Sequence, residues 1–307
     1  MKSSGSSFSP MLSVTPPVPH AVWRAEGLLS RARWIRSLVG LFVCSVVVML
    51  IGLSFGNQSI SFGDGLHILL KAFGGTGVDA EHDPTSAILL QVRLPRVLLA
   101  YCVGAALGAV GAVLQALLRN PLADPYVLGI SSGATLGAAL AIYCGGTVVV
   151  VGISTLPLFA MLGGLLVMLL VYRIAARSGG LPVHTLLLTG VIFNAICSAL
   201  VMFLSAIMEP NRSYGLLSWL MGTLTAPSGP VLSVIGVSVG FGLLVLVKHG
   251  QVLNILTVGE DMAATLGVEV ERVKRTVFAV ASVLTCLVVA VSGMIGFVGM
   301  MVPHAVR

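Results

Sequence analysis

The chain has 307 residues, of which 57% are hydrophobic and 9% charged. Soluble domains carry roughly 25% charged residues, so this composition, with a mean hydropathy of +1.04, excludes a soluble globular domain and describes a polytopic membrane protein. The net charge of +6 does not point to nucleic acid. The basic residues lie between apolar runs rather than on one face or in one domain, and those are the positions of membrane-orientation signals.

Residues 1–37 are polar and rich in Ser and Pro, with Pro16, Pro17 and Pro19 ahead of Arg24, Arg31, Arg33 and Arg36. This is the composition of a cytoplasmic tail, disordered to about residue 21. Its basic cluster comes too late for an ordinary cleaved signal peptide. The transmembrane domain is expected over 38–307. Its first span is 38–54. A polar connection, 55–91, holds Asp64, Asp79, Glu81 and Asp83, with a short interfacial helix at 60–73.

Span 2 runs over 97–118 without a charge, long enough to cross a bilayer as a helix. Its Gly104, Gly108 and Gly111 leave one face almost without side-chain bulk, so another helix can approach closely. Spans 3 to 6 follow at 127–142, 156–176, 183–207 and 231–247, with a polar connection at 209–228. The stretch 248–275 is different in kind. It holds Glu260, Asp261, Glu269, Glu271, Arg272, Lys274 and Arg275, and is read as a cytoplasmic connection. Span 7 is 277–291, Gly293 turns the chain, and span 8 is 294–306. The expectation is an all-α bundle of about eight transmembrane helices. The segments following Gly108 and Gly293 echo each other weakly, as in transporters built from repeated halves.

The basic residues set the orientation. With the N-terminus inside, only Lys71, Arg93, Arg96 and Arg212 lie outside, and the other thirteen of the 17 basic side chains lie inside. The positive-inside rule therefore places the N-terminus and 248–275 in the cytoplasm.

None of the 11 carboxylates falls in a span. Intramembrane carboxylates usually carry proton coupling, so a proton-driven transporter and an intramembrane aspartyl hydrolase are both disfavoured. No GxxxxGK[ST] motif is present, so energy for active transport must come from a separate subunit. No catalytic residue is assigned. The five cysteines have no metal-ligand spacing and read as small core residues. His184 and His304 read as interfacial residues, and no metal site is expected.

The polar residues within spans are neutral. Gln115, Asn194 and Ser198 either line a path for a large solute or join helices by hydrogen bonds, and the sequence leaves both readings open. Arg93 and Arg96, three apart around Pro95, form a rigid outer pair that snorkels to headgroups or meets a partner. Between Gly259 and Gly267, a short helix carries Ala263, Ala264 and Leu266 among charges. An apolar face beside the membrane needs a cover.

Three stretches carry a resemblance: VRLPR, GAALGAVGAVLQ and RNPLADPYVLGISSGA within 92–134; GEDMAATLGV at 259–268; and SGMIGFVGMMVPHAVR at 292–307. From about residue 38 onward, the chain resembles the permease family of ABC importers for iron-siderophores, haem and cobalamin. The resemblance implies a multi-pass protein of the cell inner membrane, working as a homodimer or beside a homologous permease. The solute path lies between the two copies. ATP and Mg belong to cytoplasmic ATP-binding subunits, and no cofactor sits on this chain. A periplasmic or lipoprotein solute-binding protein delivers the solute, with Arg93 and Arg96 meeting its carboxylates. Residues 259–268, with Gly259, Glu260, Ala263, Leu266 and Gly267, form coupling helices seated in a groove of the ATPase. An iron-siderophore is the first choice of solute, before haem or cobalamin. The family pattern has ten helices, two beyond span 8, and this stretch is expected to transport nothing without them. The rival readings are an ATPase-independent secondary transporter or facilitator, and a non-transporting truncated membrane subunit.

Overall fold

The computed structural model describes residues 31–56, 60–74, 83–145, 149–150, 153–177 and 180–306. Most of the expected tail, together with Asp79, Glu81 and Arg307, lies outside the described residues. Residues 31–37 form the first turns of α1 (Arg31–Ser54).

The interfacial helix is α2 (Phe62–Phe73). Its N-cap Ser61 accepts from the Asp64 amide, and its hydroxyl donates to the Asp64 carboxylate at 2.8 Å. Span 2 starts earlier than its apolar run. A continuous helical stretch of 35 residues runs from Pro84 to Leu118: α3 (Pro84–Ala87), a π-helical segment (Ile88–Arg93) and α4 (Leu94–Leu118). Asp83 caps its start, accepting from the amides of Thr85 and Ser86. Hydrogen bonds led by the Ser86 hydroxyl hold its carboxyl below the usual aspartate range. The π segment has a local cause. Pro95 lacks the N–H that would bond the Gln91 carbonyl, and the ladder shifts to i→i+5 just before it, with Leu94 N–H on the Leu89 carbonyl.

The chain continues through a 3-10 turn (Pro125–Leu128) into α5 (Ile130–Tyr143). Two short strands follow and pair antiparallel, β1 (Val149–Val150) with β2 (Ile153–Ser154). Next come α6 (Thr155–Ala176), α7 (Val183–Ile207), α8 (Pro210–Leu220) and α9 (Gly229–Lys248), then α10 (Gly250–Val258) and α11 (Glu260–Thr265), and finally α12 (Val270–Ser292) and α13 (Val298–Val306).

Among the described residues, six helices are long and apolar enough to cross a membrane. Expected spans 3 and 8 are instead the short helices α5 and α13, of 14 and 9 residues. At 1.5 Å per residue they reach only about 21 and 14 Å. They are held inside the bundle, against α6 and α4. The start of span 7 also differs: α12 begins at Val270 rather than 277, so Glu271, Arg272, Lys274 and Arg275 are helical. Glu271 sits in the first turn, where a helix favours negative charge.

α12 and α4 form the centre. Their most apolar windows are 61% and 44% buried, against 6% for α1, which is therefore peripheral to this bundle. Leu99, Val103, Leu107, Val110 and Leu114 of α4 pack with Val277, Phe278, Ala281, Leu284 and Val288 of α12 in one core. Tyr172 of α6 stacks on Phe278 at 6.3 Å. α5 and α6 meet through glycines. A Cβ on Gly137 or Gly163 would fall onto the backbone of the other helix, and one on Gly133 would come within 2.6 Å of Val167. Small residues let backbones touch, and dispersion acts over the whole contact.

Candidate functional site

An open cavity of about 660 Å³ lies between α5, α7 and α8. It falls within the usual range for small-molecule pockets. Its walls are Tyr126, Ser131, Ser132 and Thr135 on one side, Asn194, Ser198, Met202 and Ser205 on α7, and Ser213, Leu216 and Leu217 on α8. No lining residue is charged. The hydroxyls are largely occupied by their own helices: Ser132 donates to the Gly129 carbonyl at 2.9 Å and Thr135 to that of Ser131 at 2.9 Å. Ser131 Oγ is buried and has no hydrogen-bond partner among the described residues. The surface is smooth and neutral, with few groups able to hold a solute tightly.

The expected path residues separate here. Asn194 and Ser198 line the cavity. Asn194 also donates to the Tyr126 carbonyl at 3.0 Å, fixing α7 to the 3-10 turn. Gln115 is elsewhere: it donates to the Met300 carbonyl at 3.3 Å and joins α4 to α13. Gly111 meets the Gly299 backbone and Gly108 meets Val302, while nothing lies within 4 Å of a Cβ on Gly104. The contributions of Ser131, Ser132 and Thr135 were overlooked in the sequence. The run GISSGAT could have signalled them, since its three hydroxyls share the first turns of a helix.

Asp124, counted outside the spans, is buried. One carboxylate oxygen accepts from the Tyr126 amide at 2.8 Å, and the other has no partner among the described residues. Burial raises its pKa.

At the basic end of the bundle, α10 and α11 form a bent pair around Gly259. α10 is rooted by buried Leu253 and Leu256. α11 ends in a Schellman motif: Val268 N–H bonds the Ala263 carbonyl and Gly267 N–H that of Ala264, both at 3.0 Å. Gly267 takes the left-handed position this motif needs, at φ +82°. Ala263 is fully buried against the body of the protein. The outward row is Val258, Met262 and Leu266, which are 71%, 55% and 66% exposed. Sequence reasoning grouped Ala263 with Leu266, but Ala263 is buried while Leu266 is exposed. Met262 could have been found from its spacing of four to Leu266, which puts the two on one helix face; Val258 belongs to α10, across the Gly259 bend, and no such spacing marks it.

Glu260 opens α11 and bridges two cations. It meets Arg119 at 3.3 Å and Lys274 at 2.6 Å. Neither cation was singled out in the sequence.

Arg93 and Arg96 also separate. Arg93 is buried, and its guanidinium donates to the Leu53 and Ser54 carbonyls at 2.8 and 3.2 Å. It thus satisfies the open C-terminal carbonyls of α1. Arg96 is exposed. Arg93→Glu is therefore expected to lower thermal stability in detergent by about 1.5–3 kcal/mol, the scale of hydrogen bonds to a charged group. Arg96→Glu is expected to leave stability unchanged and to weaken binding-protein association about tenfold. A melting series and a pull-down check both, and unaltered association would leave Arg96 a headgroup contact.

Comparison with known proteins agrees with this architecture. The FecCD transport family matches residues 44–307. The ABC transporter permease protein YvrB of Bacillus subtilis is 38% identical, over 84% of this chain and 76% of its own length. The cobalamin import system permease protein BtuC of Halobacterium salinarum is 42% identical, over 73% of this chain and 60% of its own. A solved structure of a metal-chelate type ABC transporter in an inward-facing conformation superposes with a TM-score of 0.72 at 30% identity, covering 89% of this chain and 80% of that one. With helices of spanning length around a glycine-packed core, the chain is a multi-pass membrane permease and belongs to the FecCD transport family.

Proposed function

We propose that this permease moves a metal chelate across the cytoplasmic membrane as the transmembrane subunit of a binding-protein-dependent ABC importer. It works as a homodimer or beside a homologous permease, and takes its energy from ATP and Mg on separate cytoplasmic subunits. A solute-binding protein on the opposite side supplies the chelate. An iron-siderophore is the first choice, with haem and cobalamin next. Relatives include the hemin transport permease HmuU of Yersinia pestis and the cobalamin permease above.

One observation carries the reading. α11 is anchored to the bundle through buried Ala263, while Met262 and Leu266, with Val258 at the end of α10, expose their apolar side chains. The basic residues of the neighbouring segments, read by the positive-inside rule, support a cytoplasmic position for this end. Such an apolar surface fits a groove in a hydrolysing partner, and the chain has no nucleotide motif of its own. The neutral cavity supports the solute class. A large chelate that must leave again is served by walls making few strong bonds.

The test is uptake by proteoliposomes holding the permease with its ATPase and binding protein, offered a ferric hydroxamate, haem and cobalamin in turn. ATP-dependent uptake of one of them is expected. Ser198→Trp, which fills the cavity, is expected to cut that uptake at least tenfold while the complex still assembles. Equal uptake without the ATPase would make the chain a facilitator. Parental uptake by Ser198→Trp would move the path elsewhere.

A further inference from the structure

The charges around Glu260 form a connected set outside the cavity, and Arg119 and Glu260 share an open surface cleft with Val258 and Met262. Lys274 of α12 is 4% exposed. Its ammonium reaches Glu260 at 2.6 Å, Glu271 at 3.7 Å and the Leu181 carbonyl at 3.3 Å. Glu271 in turn accepts from the Leu181 amide at 3.3 Å, in the turn that leads into α7. The other oxygen of Glu260 meets Arg119 at the C-terminus of α4. One carboxylate at the start of α11 thus holds the ends of α4 and α12, and through Lys274 the start of α7. Those are the two central helices and the helix that lines the cavity. The Arg272–Glu269 pair nearby is 79% and 70% exposed, and pairs of that kind contribute little; in the Glu260 set the Lys274 arm is the buried one, while Arg119 and Glu260 are 38% and 37% exposed.

Arg119 has a second peculiarity. It ends α4 in the left-handed conformation, at φ +47°, with Asn120 N–H on the Gln115 carbonyl and Arg119 N–H on that of Ala116. This is the Schellman position that glycine usually fills, and a side chain there is strained. The turn alone would favour glycine. What arginine adds is its bond to Glu260.

We infer that the Glu260 carboxylate, held between Arg119 and Lys274, is the link that transmits displacement of α11 to α4, α12 and α7. The inference rests on α11 being the ATPase dock. Glu260, Arg119 and Lys274 are positioning residues: none touches solute or nucleotide, and each acts by making the dock and the membrane helices move together. Buried Lys274 is suited to this, because separating it from its carboxylates would leave an unpaired charge in the protein interior.

The experiment uses the full complex in proteoliposomes, with solute-loaded binding protein as the stimulus. Arg119→Gly supplies the residue the backbone prefers, so thermal stability, ATPase co-purification and unstimulated ATP turnover are expected to stay within twofold of the parent. Stimulated turnover and uptake are expected to fall at least tenfold. Arg119→Lys, which keeps the charge, is expected to restore both to within threefold. The double variant Arg119→Gly with Glu260→Gln is expected to be no worse than Arg119→Gly, since residues acting through one bond are non-additive. Parental stimulation in Arg119→Gly overturns the link. Loss of the ATPase from Arg119→Gly also overturns it, because the bond would then only shape the dock. Failure of the docking reading itself is seen separately, as ATPase retention by a Leu266→Asp variant.

Discussion

Gly111→Ala will drive α13 away from α4. The added methyl falls onto the backbone carbonyl of Gly299, a group that cannot rotate aside. Gly299 is itself confined, since a Cβ there would lie 3.2 Å from the Leu107 carbonyl and 3.3 Å from Pro125. The two helices must therefore separate along their contact, and the Gln115 bond to the Met300 carbonyl stretches with them. Overpacking of this kind costs about 3 kcal/mol, the upper end of the common range. Gly104→Ala is the control. It lies two turns earlier on the same helix, with nothing within 4 Å of the new methyl, so its effect is expected to stay under about 0.5 kcal/mol, the level of substitutions away from packed features. Size-exclusion profiles after graded heating in detergent distinguish the two. Equal melting of Gly111→Ala and parent would mean that α4 and α13 do not touch there.

The same comparison shows where the sequence was legible. Uncharged runs locate the helices because lipid forces every backbone polar group to be satisfied within its own segment. Recurring glycines signal close approach, but not which glycine is approached. Gly104 and Gly111 read alike, and only the position of Gly299, nearly two hundred residues on, separates them. Charges misled at the start of α12. Lys274 reads as a loop residue until Glu260 is brought beside it from another helix. Arg93 reads as an outer charge until α1, forty residues earlier, presents its last carbonyls. The cavity could not be read at all, since its walls come from α5, α7 and α8 and meet only through packing. Local patterns were visible where local physics decides: the Gly259–Gly267 bracket did mark a short helix, and Gly267 does end it.

Leu266→Asp is expected to release the ATPase. Leu266 follows the last turn of α11 and is 66% exposed, with Met262 and Val258 at 55% and 71%. A partner groove that covers this row removes it from water, and the parent gains from burying apolar surface. The aspartate variant loses that gain and places a carboxylate in the groove without a counter-charge. An uncompensated buried charge costs about 3–5 kcal/mol, which is roughly a hundred- to several-thousandfold in affinity. Co-purification of the ATPase should be lost, and with it stimulation of ATP turnover by the loaded binding protein. Membrane insertion and binding-protein association should survive, because Leu266 supports no buried contact of the permease itself. Ala263→Asp provides the contrast. Ala263 of the same short helix is fully buried, so a charge there should destabilise the permease before any partner is added. If Leu266→Asp keeps the ATPase at the parental level, the exposed row is a lipid or solvent face and energy enters the permease elsewhere. If both variants lose thermal stability alike, α11 packs as one unit and has no outward face to offer.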